Sequence, residues 1–411
     1  MERPEASMEN PAAREHDFGS KLRQDSVVKR LQDYVCWQRN VRTHRDETPP
    51  DFGPVSINLD LTQACNFSCP FCVDSSIINS GKSFELKTIK ETLAVLHARG
   101  LLSVILLGGG EPTLHKDFVA IVQDIKKRKI QLGIVTNGTR LDRVAEVVEL
   151  LNENDWIRIS LDAAREETFK ALHRPKSKVT LKRILGQAQK IKQMNFQVSL
   201  GYSFVMIWKG VRFQGKELPS NLDEMSEAVT LAREHSFDYV SFKPCLVRLE
   251  SSQRESLLDH VDENQERTIV EAIRARLEEA KKAARGQIKI LESINLKAML
   301  NYETEAIKKQ PRRCHMQFFR TVVTPIGIFH CPAFRGVEKG KIGEEDGYAS
   351  DSKFGESLVR TGASIQTFDA EEECHEVGCF YHPTNWWLEE LIRSGTDMRE
   401  ITHVEDDNFF L

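Results

Sequence analysis

The stretch CNFSCPFC, Cys65–Cys72, gathers three of the chain's nine cysteines into one short segment. Three residues separate the first pair and two the second. The N-terminus, MERPEASMENPAAREHDFGS, is polar and acidic and lacks an apolar h-region, so it does not read as a secretion signal. No run reaches the ~18 apolar residues of a spanning helix, so no membrane partner is expected. The chain therefore reads as cytoplasmic. In a reducing compartment, crowded thiols point to metal or redox chemistry before disulfides.

Working outward, VSINLDL (Val55–Leu61) precedes the cysteines and has the composition of a strand. Five more strand-like segments follow: Ser103–Gly109, Gln131–Gly138, Trp156–Asp162, Phe196–Met206 and Phe237–Pro244. Helix-like stretches lie between them, at Glu85–Ala98, Asp117–Arg128, Leu141–Leu151, Thr180–Met194 and Asp223–His235. Alternation of this kind predicts a parallel sheet with right-handed crossovers and its chemistry at the C-terminal strand ends. The motifs obey that rule. CNFSCPFC follows the first strand and GGGEP (Gly108–Pro112) the second. TNG (Thr136–Gly138) ends the third and SLD (Ser160–Asp162) the fourth.

Length 411 predicts two or three domains. Residues 1–26 read as a disordered tail and 27–54 as a helix with a lead-in broken at TPPDFGP (Thr48–Pro54). The barrel unit reads as 55–250. A linker at 251–309 holds one long charged helix, Glu263–Gly286, with Ile269, Ile273 and Leu277 on one face. Residues 310–390 read as a cysteine-bearing module with a hairpin at Thr321–Pro332 and otherwise loops, and 391–411 as a tail.

Three cysteines cannot complete a structural zinc site, which takes four ligands. On a four-iron cluster, three thiolates leave one iron open to a small molecule. With its glycine-rich GGGEP, TNG and SLD in that order, the chain resembles a radical S-adenosylmethionine (SAM) enzyme over about Val55–Leu246. The resemblance implies an α/β fold, a partial (β/α)6 TIM-like barrel. It implies a [4Fe-4S] cluster on Cys65, Cys69 and Cys72 with SAM on the fourth iron. Reductive cleavage of SAM then gives a 5′-deoxyadenosyl radical that abstracts a hydrogen atom. Carried over to this sequence, Phe71 faces the cofactor, and Gly109, Gly110 and Glu111 meet the methionine amino group. Asn137 and Ser160 line the ribose and methionine region, Arg174 holds the carboxylate, and Leu246 touches adenine.

Four further cysteines, Cys314, Cys331, Cys374 and Cys379, can fully ligate one zinc or one cluster. They resemble the auxiliary-cluster module called Twitch, a shortened SPASM domain, and so imply one auxiliary [4Fe-4S] cluster. Of the remaining two, Cys36 reads as a small buried residue of the N-terminal helix. Cys245 follows the sixth strand, at the expected mouth, and is a candidate hydrogen-atom donor for an epimerisation.

Formal net charge is -4, which disfavours a nucleic-acid partner, and the basic clusters Lys126–Lys129 and Lys308–Arg313 read as solvated faces. The leading expectation is oxidation or epimerisation of a polar small molecule, a sugar or aminocyclitol. The resemblance also implies a low-potential electron donor such as flavodoxin or ferredoxin. The alternatives are a peptide-modifying enzyme and a non-catalytic iron–sulfur or zinc scaffold.

Overall fold

A computed structural model describes residues 17–43, 48–248, 255–257 and 262–406. The six strand segments form, the first trimmed at both ends and the others at one. They are β1 (Ser56–Leu59), β2 (Ser103–Leu106), β3 (Gln131–Thr136), β4 (Trp156–Ser160), β5 (Ser199–Met206) and β6 (Tyr239–Pro244). Each pairs in parallel with the next. The sheet goes further than the sequence indicated. β7 (Lys289–Glu292) adds in parallel to β6, and β8 (Arg320–Thr324) adds in parallel to β1. β9 (Gly327–Phe329) and β10 (Lys341–Gly343) continue antiparallel from β8. The predicted hairpin is therefore β8–β9, and it joins the cysteine-rich segment to the barrel through one continuous sheet.

Alternation along each strand sorts the two faces. Ile57, Leu59, Val104, Leu106, Ile157, Ile159, Val240 and Phe242 enter the main core against the outer helices. Their neighbours Ser56, Asn58, Arg158, Ser203, Ser241 and Lys243 take the inner face. The lower part of that face is closed by a second core. Tyr34 and Trp37 from the helix Val28–Thr43, with Phe318 and Phe319, pack there on Trp156 and Ile105. The result is a partial barrel, closed by apolar packing below and lined by polar residues above.

Several boundaries differ from expectation. Residues 17–26 are not a loose tail. A short helix, Phe18–Leu22, is capped by Asp17, and Phe18 and Leu22 are buried. Residues 1–16 lie outside the described residues, as does most of 247–261. Cys36 is exposed, because Leu31, Tyr34, Val35 and Gln38 form the inward stripe and Cys36 falls off it. The long helix is Glu263–Ala284, started by an Asp262–Gln265 capping box; it buries Val270, Ile273 and Leu277 and leaves Ile269 half-buried.

The C-terminal segment is less loop-rich than expected, with helices at Asp351–Thr367 and His382–Ser394. The first buries Phe354, Ser357, Thr361, Gly362 and Ile365. That stripe has helical spacing, but three of its five members are small and polar or glycine, so it carries little hydrophobic periodicity. Among the described residues, no helix is long and apolar enough to cross a membrane.

Candidate cluster and cofactor site

The CNFSCPFC loop is held by its neighbours at the strand ends. Ser68 N–H donates to His173 O at 3.0 Å and Lys176 N–H to Asn66 O at 3.0 Å. Asn137 Nδ2 donates to Asn66 Oδ1 at 2.8 Å, and Asn66 Nδ2 to Thr139 Oγ1 at 2.8 Å. Cys65 N–H donates to Asn79 Oδ1 at 2.9 Å. The TNG segment and the turn after the helix Glu166–His173 thus fix where the thiols stand. Cys65, Cys69 and Cys72 are all partly buried. Burial raises each thiol's pKa, that of Cys72 to about 12, and neighbouring negative charge raises them further. Three adjacent thiols of this kind ionise readily only around a cationic centre that takes up their charge. The donor set fits an iron–sulfur cluster with one position left open. Among the described residues, no three His, Cys, Asp or Glu side chains converge as they would on a single metal ion.

Sequence reasoning missed His173. Its Nδ1 lies 3.2 Å from Cys69 Sγ, its Nε2 is 2.9 Å from Leu161 O, and Asp162 Oδ2 is 3.5 Å away. A carbonyl can only accept, so Nε2 carries the proton and Nδ1 faces the thiol as acceptor. Burial holds the imidazole below its usual pKa. The only sequence signal was its place one residue before Arg174. Arg174 itself is exposed, at φ 44° on the helix C-cap.

The glycines are required by the protein's own packing. A Cβ on Gly110 would lie 2.5 Å from Ala64 O and 2.6 Å from Thr62 O, which are backbone atoms leading into the cluster loop. Gly109 has φ 66°, and its N–H donates to Asp74 Oδ2 at 3.1 Å. Glu111 is buried and its carboxylate is already engaged. Oε1 accepts from Thr113 N at 3.1 Å, Thr113 Oγ1 at 2.5 Å and Thr136 Oγ1 at 2.7 Å, and Oε2 accepts from Asn137 N at 2.7 Å. Glu111 therefore braces the end of β2 to the end of β3. Glu111→Gln puts an NH2 against one of these donors and should cost about 1–3 kcal/mol in chemical denaturation. A change within a few tenths would remove the brace.

The other predicted residues separate. Asn137 is buried in the network above, and Ser160 is half-buried at the end of β4. Phe71 packs on the main core with its ring 6.2 Å from that of His173. Leu246 packs toward Leu257, Ala298 and Ile307 instead of the barrel mouth. Cys245 does not open on the mouth as expected. It is fully buried in the main core, its Sγ lies 3.7 Å from Leu246 O, and burial pushes its pKa up to about 12.

Cys314, Cys331, Cys374 and Cys379 come together around one small enclosed pocket, with Phe334, Phe368 and Tyr381 among its walls. Asn385 donates to Cys314 Sγ at 3.7 Å. Four thiols and no carboxylate around an apolar pocket fit a fully ligated auxiliary cluster. The two thiol sets are linked by Arg335, four residues past Cys331. Its Nε stands 2.9 Å from Asp60 Oδ2 at the end of β1, and its Nη1 stands 2.6 Å from Asp74 Oδ1, two residues past Cys72.

Residues 59–217 match the model of the Radical SAM superfamily. The S-adenosylmethionine-dependent nucleotide dehydratase of Selenomonas ruminantium is 34% identical over 117 residues, 28% of this chain and 42% of that protein. The probable GTP 3′,8-cyclase of Pyrococcus abyssi is 28% identical over 173 residues, 40% of this chain and 55% of that protein. The chain thus spans about half the length of these relatives. Among solved structures, Streptococcus suis SuiB shares the fold with a TM-score of 0.57 at 15% identity, over 83% of this chain and 75% of that one. Residues 59–217, with the three-cysteine loop at the end of β1, are thus the part of this chain that is similar to the Radical SAM superfamily.

Proposed function

We propose that the chain is a radical SAM oxidoreductase or epimerase acting on a polar small molecule, of the sugar or aminocyclitol kind, held against the inner strand face. One observation carries this reading. The three-thiol loop, the glycine turn, TNG and the end of β4 meet at one mouth, directly above inner-face residues that are polar. Cys65, Cys69 and Cys72 would hold the [4Fe-4S] cluster, and Phe71, Gly109, Gly110, Asn137 and Ser160 would surround SAM, with Arg174 at the rim. When bound, the cluster and SAM supply a one-electron reductive cleavage that yields the hydrogen-abstracting 5′-deoxyadenosyl radical. The protein's part is positional. The Asn66–Asn137–Thr139 network and the His173 contact fix the loop, and the Glu111 brace fixes the distance between two strand ends. Cys314, Cys331, Cys374 and Cys379 would hold the auxiliary cluster, which can relay an electron but has no open iron. A low-potential flavodoxin or ferredoxin would supply electrons.

A second reading, modification of a peptide, is favoured by the fold shared with SuiB, which has also been solved bound to its precursor peptide SuiA. One experiment separates the two. Anaerobically reconstituted protein, carrying about eight iron atoms per chain, is given SAM, reductant and panels of deuterated small molecules or peptides. Deuterium is expected in 5′-deoxyadenosine from the small-molecule panel. Transfer from peptides alone would overturn that choice, and no 5′-deoxyadenosine under any condition would overturn the enzymatic reading.

A further inference from the structure

The inner face carries positive charge that the chain does not neutralise. Arg158 on β4 and Lys243 on β6 are both half-buried, and among the described residues neither makes a hydrogen bond or ion pair; the Arg158 guanidinium lies over the Trp156 ring, 5.0 Å from its centre, and its Nε is buried without a hydrogen-bond partner. Strand register places Arg158 opposite Gly201 on β5, and Gly201 opposite Tyr239 on β6. Gly201 leaves room for the tyrosine ring. A Cβ there would lie 2.1 Å from Tyr239 Cζ and 2.3 Å from its Oη. Tyr239 therefore lies across β5 toward Arg158, and its hydroxyl is fully buried with no partner among the described residues. Val205, next in the same row as Lys243, sets that ammonium nearer the mouth.

Other charges do not settle this cluster. Arg320, on β8, is close enough for its charge to be felt with that of Arg158, and it donates to Asn58 Oδ1. Asp162 is the carboxylate that Lys243 feels. It already accepts from Val205 N at 2.7 Å and stands 3.5 Å from His173 Nε2. Burial and Arg158 together drive the Lys243 ammonium well below its usual pKa. Isolated buried cations are costly, and such groups normally find an anion.

We propose that Arg158, Lys243 and Tyr239 form a binding site for a phosphate group, and so that the substrate is a phosphorylated small molecule. This rests on the inner face being the substrate chamber. A phosphate dianion brings a second negative charge, which favours the Lys243 ammonium beside the Arg158 guanidinium more than the single charge of a carboxylate does. The guanidinium fork can grip two phosphate oxygens, the ammonium adds a point charge, and the tyrosine donates one hydrogen bond. Arg158 lies two residues before the end of β4. A phosphate there sits below the mouth, and the rest of the substrate extends toward the thiol loop.

The test titrates the reconstituted chain with inorganic phosphate, inorganic pyrophosphate and, at matched ionic strength, acetate. Calorimetry and the thermal midpoint are read in wild type, Arg158→Gln and Lys243→Met. Both phosphates should bind and raise the midpoint, acetate should not, and each substitution should weaken pyrophosphate at least about tenfold. Without added anion, Lys243→Met should be as stable as wild type or more so, since it replaces a half-buried amine that makes no hydrogen bond or ion pair among the described residues with an apolar side chain of similar length. A merely structural lysine would give the opposite sign, and this variant carries the test if Arg158→Gln does not fold. The site is overturned if wild type ignores both phosphates, responds equally to acetate, or binds as tightly in both variants. A wild type that forms 5′-deoxyadenosine yet ignores phosphate overturns the site alone. One that binds phosphate through these residues but never cleaves SAM supports the site and overturns the enzymatic reading.

Discussion

Cys69→Ala is expected to abolish 5′-deoxyadenosine formation and to reduce iron from about eight to about four atoms per chain. Of the three loop thiols, Cys69 is the most shielded from solvent charge stabilisation. Burial dominates its raised pKa, with Cys72, Asp162 and Cys65 adding to it. It is also the thiol that touches His173, at 3.2 Å. Removing it leaves two thiols, too few to hold a cluster that already has one open position. The loss should exceed about 100-fold, the upper end of what an outer-shell partner contributes to a metal site. His173→Phe is the comparison. It keeps all three thiols and removes only their neighbour, so a fall of about 10–100-fold with the iron largely retained is expected. Iron by colorimetric assay and product by chromatography read both variants. Product at the wild-type rate from Cys69→Ala would remove Cys69 from the ligand set.

Much of this site was legible because it lies in contiguous motifs at strand ends. The CNFSCPFC spacing, the glycine turn and TNG all sit where a parallel sheet brings them together, and the structure joins them through Asn66, Asn137 and Glu111. What stayed hidden depends on contacts between residues far apart in sequence. His173 has no motif, and its meaning lies in a contact across 104 positions. Arg158 and Lys243 look like ordinary charges on strands until alternation and register turn both inward. That Cys245 is fully buried was hidden for the related reason that a place after a strand end does not fix what packs over a side chain. The helix Asp351–Thr367 hid because its buried stripe is mostly serine, threonine and glycine.

Arg335→Met should destabilise the chain by about 3–5 kcal/mol near pH 8, the range for breaking a buried ion pair from one side. Arg335 is 5% exposed in its side chain, with Asp60 at 0% and Asp74 at 12%. Its guanidinium lies 2.9 Å from Asp60 without good hydrogen-bond alignment, so much of the contact is charge on charge. Asp60 already has its pKa raised to about 8. Burial is the main cause, Arg335 opposes it and Asp74 adds to it. In the unfolded chain Asp60 returns to about 3.9. The native state therefore binds more protons than the unfolded one between those values, and this group's contribution falls as pH rises toward 8. Without Arg335 the opposing influence is gone and the folded pKa of Asp60 climbs further. Below it the carboxyl is neutral and the missing cation matters little. At pH 8, near its folded pKa, wild-type Asp60 is partly ionised beside Arg335, whereas in Arg335→Met it stays neutral and that charge pairing is lost. The penalty of Arg335→Met should thus be modestly larger at pH 8 than at pH 5.5, and in an Asp60→Asn background this pH dependence should disappear. Denaturation of the reconstituted chain at both pH values measures this. A penalty that is the same at both pH values, with or without Asp60, would mean that Arg335 does not act through the charge of Asp60. If the charge reading holds, one guanidinium ties the end of β1, the glycine turn through Asp74 and the segment carrying Cys331, and so sets the register between the two thiol sets.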